Sequence, residues 1–211
     1  MQDAQVVSWA RETDVLGEML GSVRGLNRRF LDLVATQLGG IASGAWRSAG
    51  PAGLSIDMSA QIAPLSASQK AAAASCPYAL FDLRFGDDGH WRTRFEASAR
   101  WSVAEEAPLG ANTLDFVRLA LFFAWHVAST GKVAAQLLLG MSEVTAAAFR
   151  GATIDCLPAL AATEAVNLTA RWNDCPAYWS ALTEAAARPN PSGLRKIQLY
   201  GLQLAAAARL A

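Results

Sequence analysis

From Thr13 to about Leu38 the apolar residues Leu16, Met19, Leu20, Val23, Leu26, Phe30, Leu33, Val34 and Leu38 recur every three or four positions. This spacing follows the helical turn and predicts an amphipathic helix. Gly17, Gly21 and Gly25 stand four apart and therefore stack on one face, each at a propensity cost of roughly 1 kcal/mol. Either another backbone approaches closely along that face or the helix is weak there; close packing is the expectation.

The pattern then fades. Between Gly39 and Pro64 the chain turns to Gly, Ser, Ala and Pro, and from Val34 to Phe81 only Arg47, Asp57 and Lys70 are charged, which predicts a linker over 39–64. Ser66 and Gln69 have the spacing of a capping box, so a short helix is expected before Cys76-Pro77. Tyr78 to Phe85 fits neither the helical nor the strand period cleanly. With no second clear strand to pair with it, helix or extended cover is favoured.

Asp87 and Asp88 are expected to cap a helix over Trp91 to Ala99, and 104–110 reads as a loop. Leu114 to Ala128 is apolar on nearly every side apart from Asp115, Arg118 and His126, which predicts a buried central helix ended by Gly131. Shorter helices follow over about 132–139, 142–150, 156–167, 174–187 and 192–210, with turns at Gly140, Gly151, Asn173 and Pro189 to Gly193. The expected fold is all-α, a multi-helix bundle with a long N-terminal amphipathic helix. Its expected divisions are the helix 1–38, the linker 39–64 and a bundle domain 65–211.

Composition narrows the function. The 211 residues are 53% apolar, enough for a core, and 44 are Ala. The formal net charge is zero, with 15 Arg and three Lys against 18 acids, which disfavours general coating of nucleic acid. Cys76, Cys156 and Cys175 are odd in number and far apart, fitting neither a disulfide framework nor a close-spaced zinc site. The N-terminus lacks a basic segment followed by an apolar run. The longest uncharged stretch, Leu33 to Trp46, is glycine-broken and shorter than the roughly 20 residues a membrane span needs. No transmembrane helix is expected, and the reading is a cytoplasmic protein with reduced thiols.

Gln136 to Arg150 has the cadence of a helix-turn-helix, with Gly140 at the turn, Met141 as an apolar plug, Ser142 as N-cap, and Ala146 and Phe149 facing inward. Its outward positions, Glu143, Val144, Ala147 and Ala148, carry none of the side chains that read base edges. An ordinary helical hairpin is therefore favoured over direct DNA contact. The helix from Phe122 to Ala128 with Lys132-Val-Ala-Ala, the turn Leu139-Gly-Met-Ser-Glu143, Thr153, Leu160-Ala-Ala-Thr163 and Arg171-Trp172 fall at one ungapped spacing. In these features residues 122–172 resemble the flagellar transcriptional activator D subunit family, small helical proteins that form homodimers and act on promoters with a C subunit. The resemblance implies a regulatory, dimer-forming helical module and brings no catalytic residue. More than 100 residues precede the match, and the cysteine that links subunits in some members falls at Leu168.

Other candidate chemistry has plainer explanations. Cys76-Pro77 and Cys175-Pro176 repeat a dipeptide able to ligate haem, but Pro in a helix first turn accounts for it. Asp87-Asp88-Gly-His90 lacks a distant third metal ligand, so a cap followed by a solvated His is expected, and His126 is expected to be a core histidine. No catalytic, cofactor-binding or metal-ligating set is expected. Arg24, Arg28 and Arg29, and the acid-free stretch with Arg188, Arg195 and Lys196, are the candidate contacts for a partner or for phosphate. Helix-end charges on a solvated face are the competing explanation.

Three functions remain in view. The leading one is a non-enzymatic helical regulator or adaptor working through protein contacts, as a homodimer or with a partner protein, nucleic acid being at most a weak ligand. The second is a phasin-like granule coat laid down by the 13–38 helix. The third is a small-ligand pocket lined by Trp91, Trp101, Trp125, Trp172 and Trp179 near Asp82, Asp87, Asp88, His90 and His126.

Overall fold

The computed structural model describes residues 2–42, 56–98, 111–188 and 191–207. The chain is all-α. Its elements are α1 (Gln2–Ala42), α2 (Ile56–Ile62), α3 (Ala67–Ala74), β1 (Phe81–Asp82), α4 (Asp88–Ser98), α5 (Ala111–Thr130), α6 (Lys132–Leu139), α7 (Glu143–Gly151), α8 (Leu157–Glu164), β2 (Thr169–Ala170), α9 (Pro176–Ala187) and α10 (Pro191–Ala207). Short 3-10 turns flank α8 at Ile154–Cys156 and Ala165–Asn167. The expected loop 104–110, residues 43–55 of the expected linker, Trp101 and Arg209 lie outside the described residues.

The apolar stripe of α1 is spent inside the molecule. Met19, Val23, Leu26, Phe30, Leu33 and Val34 are buried in one continuous core with residues of α2, α3, α5, α8 and α9. Phe30 sits at its centre, 5.9 Å from Phe116, 6.0 Å from Phe81 and 6.5 Å from Trp179 between ring centroids. The helix is thus no tail before a bundle. The expected linker is also cut short, because 56–62 forms a helix whose Met58 and Ile62 are core residues; sparse charge there marked burial rather than a spacer. Gly17, Gly21 and Gly25 face the other way, and a Cβ at any of them meets nothing within 4 Å. The close approach expected along that face is not made within the described chain.

Local signals act as their chemistry requires. Ser66 and Gln69 form a reciprocal capping box at α3. Ser142 caps α7 by accepting the Thr145 N–H at 2.9 Å, and Gly140 makes the preceding turn at φ 74. A side chain at Gly140 would collide with Arg171, since a Cβ there would lie 2.5 Å from a guanidinium nitrogen. α5 buries Leu114, Val117, Ala120, Leu121, Ala124, Val127 and Ala128 and leaves Asp115, Leu119, Phe122 and His126 exposed. His126 is therefore not a core histidine: its neighbours cover α5 on one side only.

Residues 78–85 are not helical: Phe81–Asp82 is a short strand, and the chain bends on either side of it, with Arg84 at φ 57. Tyr78, Ala79, Leu80 and Phe81 are buried in succession, which hides either period, while over 81–85 the buried Phe81, Leu83 and Phe85 alternate with half-buried Asp82 and exposed Arg84. Phe81 and Asp82 pair antiparallel with Ala170 and Thr169. A buried non-helical segment has to place its backbone polar groups, and from Tyr78 to Leu80 the bonds come from distant elements. Ala79 N–H donates to Leu138 C=O at 2.7 Å, and Arg171 N–H to Leu80 C=O at 2.9 Å. From α1, the buried Asn27 amide donates to Tyr78 C=O at 2.8 Å, while its oxygen accepts Leu80 N–H at 2.8 Å. Asn27→Ala leaves that carbonyl and that N–H buried without these bonds. The expected loss is about 2–4 kcal/mol, measured by urea unfolding with the slope unchanged.

Candidate functional site

Three clusters gather the polar side chains of the interior. The first joins α4 to α8. Glu164 has no exposed surface, and its two carboxylate oxygens lie 2.7 Å from His90 Nε2 and 2.7 Å from Arg94 Nε, with Asn167 donating to it at 2.8 Å. His90 is itself 9% exposed, so the expected solvated histidine is a buried tether instead. The reason is its helical position: the Asp87 carboxylate caps α4 by accepting the His90 N–H at 2.9 Å, which turns the imidazole toward α8. That bond, with Arg84 beside it, also holds the Asp87 carboxyl below the usual carboxylate range. Glu164 escaped the sequence reading, although it is the only charged residue between Asp155 and Arg171.

The second cluster ties α4 to α7. Asp88 accepts hydrogen bonds from the Ser142 and Thr145 hydroxyls, the latter at 3.2 Å. Asp87, Asp88 and His90 thus point to three different partners, and no group of three metal-ligating side chains occurs among the described residues. Asp82 serves the local turn, accepting Phe85 N–H at 3.1 Å, and burial raises its carboxyl above the ordinary range.

The third cluster lies beneath α10. The Tyr78 and Tyr178 hydroxyls are 3.1 Å apart, Cys76 Sγ is 3.9 Å from Tyr178, and Tyr78 also donates toward the Gln198 carbonyl at 3.2 Å. Gly201 is required where α10 crosses Tyr78, because a Cβ there would fall on the phenol oxygen. Burial pushes the Cys76 thiol up to about 11 and raises both phenols as well. A sealed, protonated thiol is a packing group and not a thiolate ligand. Cys175 instead precedes Pro176 at the first turn of α9, as the proline rule expects.

The remaining candidates lie on the surface. Arg24 and Arg29 are exposed, and Arg28 pairs with Asp32 at 3.4 Å. Arg29, Asp32, Leu33, Thr36, Asn112, Asp115 and Phe116 line an open cleft of about 310 Å³ between α1 and α5. Arg188 pairs with Glu184, and Arg195 and Lys196 are exposed on α10. The two basic sets stand on separate elements, α1 packing on α2, α3 and α5, and α10 on α9. Among the described residues, Trp91, Trp125, Trp172 and Trp179 pack against or bond to separate partners. Trp91 and Trp179 are core residues whose indoles donate to Arg84 and Arg171 carbonyls, and Trp125 donates to Ala152.

What the geometry defines is an all-α bundle whose interior polar side chains link one helix to another. No family model, curated protein or solved structure matches the chain. No described helix is long and apolar enough to cross a membrane.

The third cluster has a pH signature. Below about pH 9 the thiol and both phenols are protonated whether the chain is folded or not, so their packing contributes fully. Above it the unfolded chain ionises first while the folded chain holds its protons, so stability falls as pH rises from the ordinary thiol value of 9.0 toward about 11. Each group adds up to about 1.4 kcal/mol per pH unit to that slope. Unfolding free energies measured from pH 8 to 11 should show the decline, and Tyr178→Phe should make it shallower.

Proposed function

We propose that the chain is a non-enzymatic helical regulator or adaptor, acting through protein–protein contacts in a transcription-regulating assembly. The observation that carries this reading is where apolar surface is left uncovered. Of the eleven large apolar side chains exposed among the described residues, seven fall within 119–166: Leu119, Phe122, Val133, Leu137, Val144, Ile154 and Val166. All but one lie in the span that resembles the flagellar activator D subunit family. This concentration of exposed apolar side chains in one stretch supports a role for it in protein contacts.

The same surface argues for a partner that reads DNA in its place. On α7 the exposed positions are Glu143, Val144, Ala147, Arg150 and Gly151, with one cation, at the far end of the helix from where base contacts are made. The granule-coat alternative loses its support, since it needs the apolar stripe of α1 free and that stripe is buried.

Chromatin immunoprecipitation of the tagged chain in its source cell tests the proposal. The chain should be recovered on promoter DNA that the purified chain alone does not shift in a gel. Val133→Asp with Val144→Asp should lower that occupancy about tenfold or more. Both sites are exposed, so the variant should melt within about 2–4 °C of the parent. A chain absent from promoters overturns the reading.

A further inference from the structure

We propose that α1 pairs with α1 of a second copy of this chain, antiparallel and centred on Gly21. The inference deepens the protein-contact reading and rests on it, but it concerns a different face. Over 17–29 the outer side of α1 is covered by no described residue: Gly17, Gly21, Glu18, Ser22, Arg24, Gly25 and Arg29 are exposed, and no described atom lies within 4 Å of a Cβ placed on the three glycines. Glycines inside an exposed helix weaken it unless another backbone uses the space they leave. A helix meeting this stripe can approach with no side chain between the backbones.

Charge identifies the occupant. The first part of α1 carries Asp3, Glu12, Asp14 and Glu18 against Arg11, and the part beyond it carries Arg24, Arg28 and Arg29 against Asp32. Glu18, Arg24 and Arg29 form no ion pair among the described residues. The helix is therefore acidic toward one end and basic toward the other. A parallel partner would set acid on acid and base on base, whereas an antiparallel copy of the same helix sets each part against its opposite. Gly21 stands one residue from the midpoint of the 41-residue helix, so an antiparallel pair centred there overlaps along nearly its whole length. In that register Glu18, exposed and unpaired among the described residues, comes level with the exposed Arg24 of the second copy. Two-fold symmetry then makes that match twice. These charges fall within the roughly 8–10 Å reach of unscreened interaction at physiological salt.

Sedimentation and cysteine cross-linking of the full chain test the pairing. The expected results are a dimer that weakens with added salt, a Gly21→Cys disulfide between copies, and efficient cross-linking when Gly17→Cys and Gly25→Cys chains are mixed. The parent chain sets the background from its own thiols. Gly21→Leu should raise the dimer dissociation constant about tenfold or more while melting no lower than the parent, because its side chain enters open space. A monomer throughout the concentration range overturns the proposal, as does Gly17→Cys linking to itself in preference to Gly25→Cys. A monomer that still occupies promoters overturns the pairing and leaves the adaptor reading standing.

Discussion

The side-chain amide of Asn27 is the contact on which the rest of the bundle depends. It is fully buried on α1, and its nitrogen lies 3.4, 3.5 and 2.8 Å from the carbonyls of Ala74, Cys76 and Tyr78 while its oxygen takes the Leu80 N–H. A non-helical segment cannot lie inside a helical core unless something replaces the water its backbone would otherwise bind. Asn27 supplies both a donor and an acceptor at one point, which a hydroxyl or a carboxylate in its place would not do with the same geometry. Because the segment is held there, Tyr78 reaches α10, Phe81 reaches Phe30 and Phe116, and Phe85 reaches the Trp91 and Phe149 rings.

The interior polar groups share a division of labour. Asn27 satisfies backbone, Glu164 joins α4 to α8, Asp88 joins α4 to α7, and Arg171 packs against the Gly140 turn. Each is held by a partner on another element, so each contributes to the arrangement of the helices. A carboxylate buried with His90 and Arg94 is costly to expose or to strip of either partner, and it is weak evidence of net stability in itself. Its consequence is registry: α4 can meet α8 in only one way.

Much of this architecture is legible from local chemistry. The stripe from Met19 to Val34, the Ser66–Gln69 box, the Gly140–Ser142 turn and the proline at the start of α9 are decided within a few residues, and there pattern and structure agree. The misreadings have a common physical origin, since burial is decided by distant neighbours. The run Tyr78 to Phe81 shows no period because all four residues are buried. His90 is drawn inward by Glu164, which lies 74 positions away, and His126 is exposed because no described residue packs on that side of α5. Met58 and Ile62 look like linker residues until α1 and α9 are seen to cover them.

The threaded segment also separates this protein from ordinary helical bundles in time. Helical proteins usually fold fast because their contacts are local, and closing long loops before any contact is gained is what slows sheet proteins. Here the bonds that seat Leu80 run 53 positions back to Asn27 and across to Arg171 on the far side of α5 to α8. No neighbouring pair of helices can complete that seat. Leu80 is seated only where elements from both halves of the chain meet, a loop-closure cost that the pairing of neighbouring helices does not carry.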